Sequence, residues 1–269
     1  KPYGSLWLAI ALRCEDVLVT PGRRLMSTPA DAAFDWMPQK QGLYDPRREK
    51  DSCGVGMIAD LEGRASRATV ENALLILENL DHRGARGCEV DTGDGAGILC
   101  GTPDGFMRRQ FKEVGVELPP SGSYAIGNVF LPRTEQGLLD GKRLMETTCA
   151  SVAGLKLLGW RPVPVDSDCL GKSARSVEPI IEQCAVAADG PLKKDVRRFE
   201  AALYVLRKKV MNAADKLPDT PVYLCSLSAR VINYKGMLTC PGLARYYPDL
   251  LEEDFESHVA LVHSRFSTN

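Results

Sequence analysis

The chain has no apolar run approaching the about 20 residues of a membrane-spanning helix. It has almost no net charge, 34 Lys+Arg against 35 Asp+Glu, which leaves a formal −1. Neither nucleic acid nor an anionic bilayer is therefore expected as a partner, because both are bound through an excess of basic side chains. Histidines number only three, at 82, 258 and 263. His258 and His263 have zinc-finger spacing, yet no C-x-x-C pair exists to complete four ligands, so no metal is expected. No repeat of fixed period is visible. The nine cysteines are odd in number and scattered, unlike a secreted disulfide framework, which suggests buried thiols in a reducing compartment.

What is present is ordinary for a globular chain of 269 residues, with 44% hydrophobic and 26% charged residues. Residues 1 to 52 are expected to form a poorly structured leader or propeptide. The run Leu6–Leu12 imitates a short signal core, Arg13, Arg23 and Arg24 a transit peptide, and Met26 an alternative start. Helical periodicity appears over 68–80, through Val70, Ala73, Leu74 and Leu77, with Gly84 as a stop. Further helices are expected near 105–114, 135–150, 195–214 and 243–251. Strands are expected at 52–59, 98–100, 124–131, 155–165, 177–187, 222–227, 230–234 and 260–266. Strands outnumber crossover helices, which favours α+β layers over a parallel βαβ array.

Two glycine-rich runs imitate phosphate loops. Gly93-Asp-Gly-Ala-Gly97 is one residue short of G-x-G-x-x-G and precedes a strand, and Gly171-Lys-Ser173 has Asp166 where a P-loop needs its first glycine. Both read as turns. Cys53 stands apart from the other cysteines, since Gly54 and Gly56 clear space around the strand that it opens and a charged segment precedes it. A dyad with His82 or His263 would activate the thiol. Cleavage before Cys53 would do so without histidine, because an α-amine of pKa about 7.7–8.0 lies next to a thiol near 8.5.

Five runs occur together: Asp51-Ser-Cys-Gly-Val-Gly-Met-Ile-Ala59, Leu80-Asp-His-Arg-Gly-Ala85, Thr92-Gly-Asp-Gly-Ala-Gly-Ile98, Tyr234-Lys-Gly-Met237 and Leu261-Val-His-Ser-Arg-Phe-Ser-Thr-Asn269. In order and spacing they resemble the glutaminase domain of the glutamate synthase large subunit, a class II glutamine amidotransferase and N-terminal-nucleophile hydrolase. The resemblance runs from about Leu43 to Asn269, with the domain proper from 53 to 269. It implies an α+β, four-layer αββα sandwich of two mainly antiparallel sheets, here truncated at the C-terminus.

The resemblance also implies roles. Cys53 would be the catalytic nucleophile, forming a γ-glutamyl thioester and releasing ammonia from L-glutamine. Arg265 would bind the substrate α-carboxylate and Thr268 would line the pocket, while Arg83 and Gly84 would hold the nucleophile's backbone and amine. An Asn-Gly oxyanion pair and an acidic residue for the substrate amine would lie beyond Asn269. The fragment is therefore expected to be inactive by itself. FMN and an iron–sulfur cluster, which serve glutamate synthesis from 2-oxoglutarate, are implied for the remainder, with ferredoxin or NAD(P)H as electron donor and the cytoplasm or a plastid as compartment. The alternatives are another class II amidotransferase and a non-catalytic remnant serving as an interaction domain.

Overall fold

A computed structural model describes residues 8–11 (backbone), 40–42, 45, 54–84, 89–217 and 221–265. A five-stranded sheet has the order β1-β2-β9-β3-β8, built from β1 (Leu8–Ala11), β2 (Gly54–Ala59), β9 (Val259–Ser264), β3 (Ala96–Gly101) and β8 (Val231–Gly236). A four-stranded sheet has the order β5-β6-β4-β7, from β5 (Leu155–Pro162), β6 (Ile180–Ala188), β4 (Tyr124–Leu131) and β7 (Tyr223–Ser228). Every described strand pair is antiparallel. The α+β expectation with two antiparallel sheets therefore holds. Within the expected leader, the backbone of Leu8–Ala11 pairs with β2 as an edge strand, which the sequence reading did not anticipate.

The helices start where side chains satisfy their first N–H groups. Ser66 caps α1 (Arg67–Asn79) by accepting from the Thr69 N–H, Thr134 caps α3 (Glu135–Ala150), and Asp195 caps α5 (Val196–Ala214) through the N–H groups of Arg197 and Arg198. α2 (Asp104–Glu113) and the short α4 (Lys172–Ser176) lie between them. The single helix expected over 243–251 is instead α6 (Gly242–Tyr246) followed by a 3₁₀ turn, Pro248–Leu251. Pro248 has no N–H for a continuing ladder, so the α-helix stops before it. Gly84 also behaves differently from a left-handed helix stop: it follows a 3₁₀ turn, Asp81–Arg83, and is extended, with φ −75°.

Burial divides along the two faces of the second sheet. Tyr124 and Ile126 of β4, with Ile181 and Ala185 of β6, join a core that contains α1, α2, Tyr247 and Phe255. Ala125, Val129, Cys184 and Val186 face the opposite way, onto α3 and α5. β6 is thus buried on both faces, as a central strand should be. On the first sheet, α1 covers the face that carries Gly56, Ile58, Ile98 and Val262. The other face is more open, with Met57 and Leu261 each 39% exposed.

The two sheets are tied by a buried polar cluster. Arg161 of β5 donates to both carboxylate oxygens of Asp249, at 2.7 and 2.9 Å, and to Gln183 Oε1 at 2.7 Å. Gln183 Nε2 in turn donates to the Tyr234 hydroxyl, and that hydroxyl donates to Asp249, at 2.8 and 2.9 Å. Each buried donor has a partner, which is the condition under which such a cluster is tolerated.

Candidate functional site

The motifs singled out in the sequence meet at one end of the first sheet. Gly54 opens β2 opposite Ser264 of β9, and Ala96 of β3 pairs with the same serine on its other side. Ser264 is fully buried. A Cβ on Gly54 would lie 3.0 Å from the Cβ atoms of both Arg83 and Ser264, and one on Gly84 would lie 3.2 Å from Ser264 Oγ. Glycine at these positions lets the turn after α1 close onto the start of β2. Arg83 and Gly84 are held there by backbone bonds, Arg83 N–H to Leu80 C=O and Gly84 N–H to Asp81 C=O. The Cys240 thiol, 3.1 Å from Ser264 Oγ, brings in the segment that follows β8.

Arg265 immediately follows β9. Among the described residues it is the only non-glycine with positive φ, at 90°. A left-handed backbone is costly for a residue with a side chain and persists only where surroundings enforce it. Here its N–H donates to the Gly95 carbonyl at 2.7 Å, and Nε lies 3.8 Å from Asp94 Oδ2. The arginine is 39% exposed, and the cavity beside it, of about 330 Å³, is lined by Gly95, Gly97, Lys235, His263 and Arg265 among others. Burial and the nearby Lys235 hold the His263 imidazole below its ordinary pKa. Gly97 matters for shape, because a Cβ there would fall 2.9 Å from Lys235 Cβ.

The structure thus brings together Arg83, Gly84 and Arg265, three of the five residues expected at the site. Cys53 and Thr268 lie outside the described residues, although Gly54, the chain neighbour of Cys53, is part of this convergence. Sequence reading missed Asp94, Gly95 and Ser264. All three stand in runs that carry the family resemblance, 92–98 and 261–269, but receive no role of their own there.

The remaining candidates resolve differently. His82 Nδ1 is 2.9 Å from the Asn79 carbonyl, a capping position at the end of α1. The N–H and hydroxyl of Ser173, in the P-loop-like run, donate to the Glu89 carboxylate, so a side chain of this chain occupies those donors. That bond, with another from the Thr92 hydroxyl, lowers the Glu89 pKa. Cys100 and Cys184 are pushed up to about 12 by burial and Cys225 up to about 11, so these thiols stay protonated and inert. No group of three metal-ligating side chains occurs among the described residues, and none of their helices is long and apolar enough to cross a membrane.

A larger cavity, about 1070 Å³, lies between the end of β4, α4 and the end of α5. Size alone does not make it the reactive site. Its buried carboxylate, Glu178, is already engaged by Arg133, Ser167 and Tyr246.

Residues 53–269 match the family of class-II glutamine amidotransferases. Over 237 residues the chain is 44% identical to the glutamate synthase [NADH] of Schizosaccharomyces pombe, covering 87% of this chain and 11% of that protein. It is 40% identical to the glutamate synthase [NADPH] large chain of Bacillus subtilis, covering 88% of this chain and 15% of that one. To the ferredoxin-dependent glutamate synthase 1 of Arabidopsis thaliana, chloroplastic/mitochondrial, it is 37% identical, covering 86% and 14%. The chain therefore spans only about a tenth to a seventh of the length of these curated relatives. It belongs to the class-II glutamine amidotransferases.

Proposed function

We propose that this chain carries the glutamine-hydrolysing half-reaction of a glutamate synthase, with Cys53, exposed by removal of residues 1–52, as nucleophile. The observation that supports this most is the convergence of Gly54, Arg83, Gly84 and Ser264 at the start of β2, one residue from Cys53, with Arg265 directly after the end of β9. The α-amine of Cys53 takes the thiol proton, and the thiolate attacks the side-chain amide carbon of glutamine. The C–N bond breaks, and ammonia leaves with the relayed proton. Water then attacks the γ-glutamyl thioester, the C–S bond breaks, and glutamate departs as the thiol is restored. Arg265 would bind the α-carboxylate with its guanidinium fork, Thr268 would line the pocket, and Arg83 with Gly84 would fix the nucleophile's backbone.

The family resemblance also calls for an Asn-Gly oxyanion pair, and no Asn-Gly dipeptide occurs in the 269 residues. Loss of an oxyanion donor costs about 10²–10³ in rate, so the chain by itself is proposed to be far slower than the whole enzyme. The four-layer αββα arrangement is likewise proposed for the complete domain, in which the open Met57/Leu261 face would gain its cover. The described cysteines sit singly on separate elements and do not fit an iron–sulfur cluster. The cluster and FMN are assigned to the rest of the full-length protein, together with 2-oxoglutarate reduction. The relatives' names carry NADH, NADPH and ferredoxin, and the donor here is proposed to be one of these, in cytoplasm or plastid.

The test is intact-mass analysis of the full-length protein after exposure to a diazoketone analogue of glutamine. A mature chain beginning at Cys53 and carrying one adduct there is the expected result. An uncleaved leader with no adduct would establish the non-catalytic alternative. Cys53→Ala should abolish glutamine-dependent synthesis while sparing ammonia-dependent synthesis.

A further inference from the structure

Resting on that reading of the site, we infer that Asp94 is a positioning residue for Arg265 and thereby sets the preference for substrates bearing an α-carboxylate. The segment around Asp94 is fastened at several points. Glu89 accepts from the Thr92 hydroxyl at 2.8 Å and from the N–H and hydroxyl of Ser173 at 3.0 and 3.1 Å. Gly93 lies against the chain after β8, where a Cβ would fall 2.3 Å from the Leu238 carbonyl oxygen, so the backbone seats closely there. Gly95, with φ 136°, then presents its carbonyl to the Arg265 N–H and locks the strained backbone in place. The loop that fixes the main chain of Arg265 is thus the loop that carries Asp94.

The side-chain geometry completes the device. Asp94 Oδ2 lies on the Nε side of the guanidinium at 3.8 Å, within ion-pair range but longer than a hydrogen bond. An acid engaged on that side leaves the paired Nη groups, the other edge of the fork, for a second carboxylate. Asp94 and Arg265 are 42% and 39% exposed, so the pair has room to admit a ligand. Asp94 touches no reacting atom in this scheme; it acts through Arg265.

The experiment compares wild type with Asp94→Asn and Asp94→Glu in the full-length protein. Two amide substrates are used, glutamine and 4-aminobutanamide, which is glutamine without its α-carboxylate. For Asp94→Asn the KM for glutamine should rise about fivefold with kcat within about twofold, the scale of a half-exposed ion pair. The KM for 4-aminobutanamide should not move, and Asp94→Glu should recover part of the loss. Equal change with both substrates would make Asp94 a structural residue only, and no change with either would remove it from the site; both results overturn the inference. Failure of wild type to form the Cys53 adduct would instead sink the reading of the whole site, and this inference with it.

Discussion

Two arginines in this chain have opposite surroundings. Arg161 is 3% exposed and closed on every side: two bonds to Asp249, a third to Gln183, and the Phe106 ring 5.3 Å below its guanidinium. Arg265 sits in a left-handed backbone, faces a cavity, and has one acidic neighbour at a loose 3.8 Å. A buried guanidinium with both Nη groups engaged by side chains of its own chain can only hold the protein together. One whose fork is held from behind and open in front is free to bind an anion. The difference lies in the number of donors left over, since both arginines are charged and both face a carboxylate.

The largest expected effect tests the closed arginine. Asp249→Ala leaves Arg161 buried and unpaired and should destabilise the fold by about 3–5 kcal/mol in urea denaturation, because desolvation of the charge is no longer offset. Replacing Arg161 and Asp249 together with apolar residues of similar volume should cost much less, since no lone charge remains. At the open arginine the order reverses. Arg265→Gly removes the side chain from a positive-φ position and should stabilise by about 0.5–1 kcal/mol, while labelling of Cys53 by the diazoketone, which bears the same α-carboxylate as glutamine, slows. A drop in stability for Arg265→Gly would mean that the arginine is structural, and the contrast would collapse.

The closed pair was not legible in the sequence. Arg161 and Asp249 are 88 residues apart, and neither sits in a local pattern that announces a partner. Helices were legible because their signals are local: Ser66, Thr134 and Asp195 cap the starts, and buried positions recur at helical spacing. The segment 243–251 was misjudged where apolar content outweighed Pro248, and the edge strand Leu8–Ala11 depends on pairing with β2, which no local rule reveals. At the site, the family resemblance singles out Arg265 by its motif, but its left-handed backbone and its contacts with Gly95 and Asp94 are not readable there. Gly95 and Asp94 act on a residue about 170 positions later, and a glycine-rich turn looks the same in sequence whatever it supports.

The smallest effect concerns His263, which lines the same cavity as Arg265 and faces Lys235 across it. Burial first, and then the lysine charge, lower its pKa from the ordinary 6.5, so the folded protein favours the neutral ring. Between the lowered value and 6.5 the unfolded chain binds more protons than the folded one. This histidine's contribution is therefore fully present above 6.5 and is lost as pH falls through the folded-state pKa. Lys235→Met removes the like charge but leaves the burial, so the slope of stability against pH below 6.5 should become shallower without vanishing. His263→Gln should remove that part of the slope altogether. Urea denaturation across pH 5 to 7 reads both changes, about the range in which an imidazole titrates. An unchanged slope in both variants would show that the imidazole is not felt by the fold, and would leave Lys235 and Arg265 as the charged groups of the cavity.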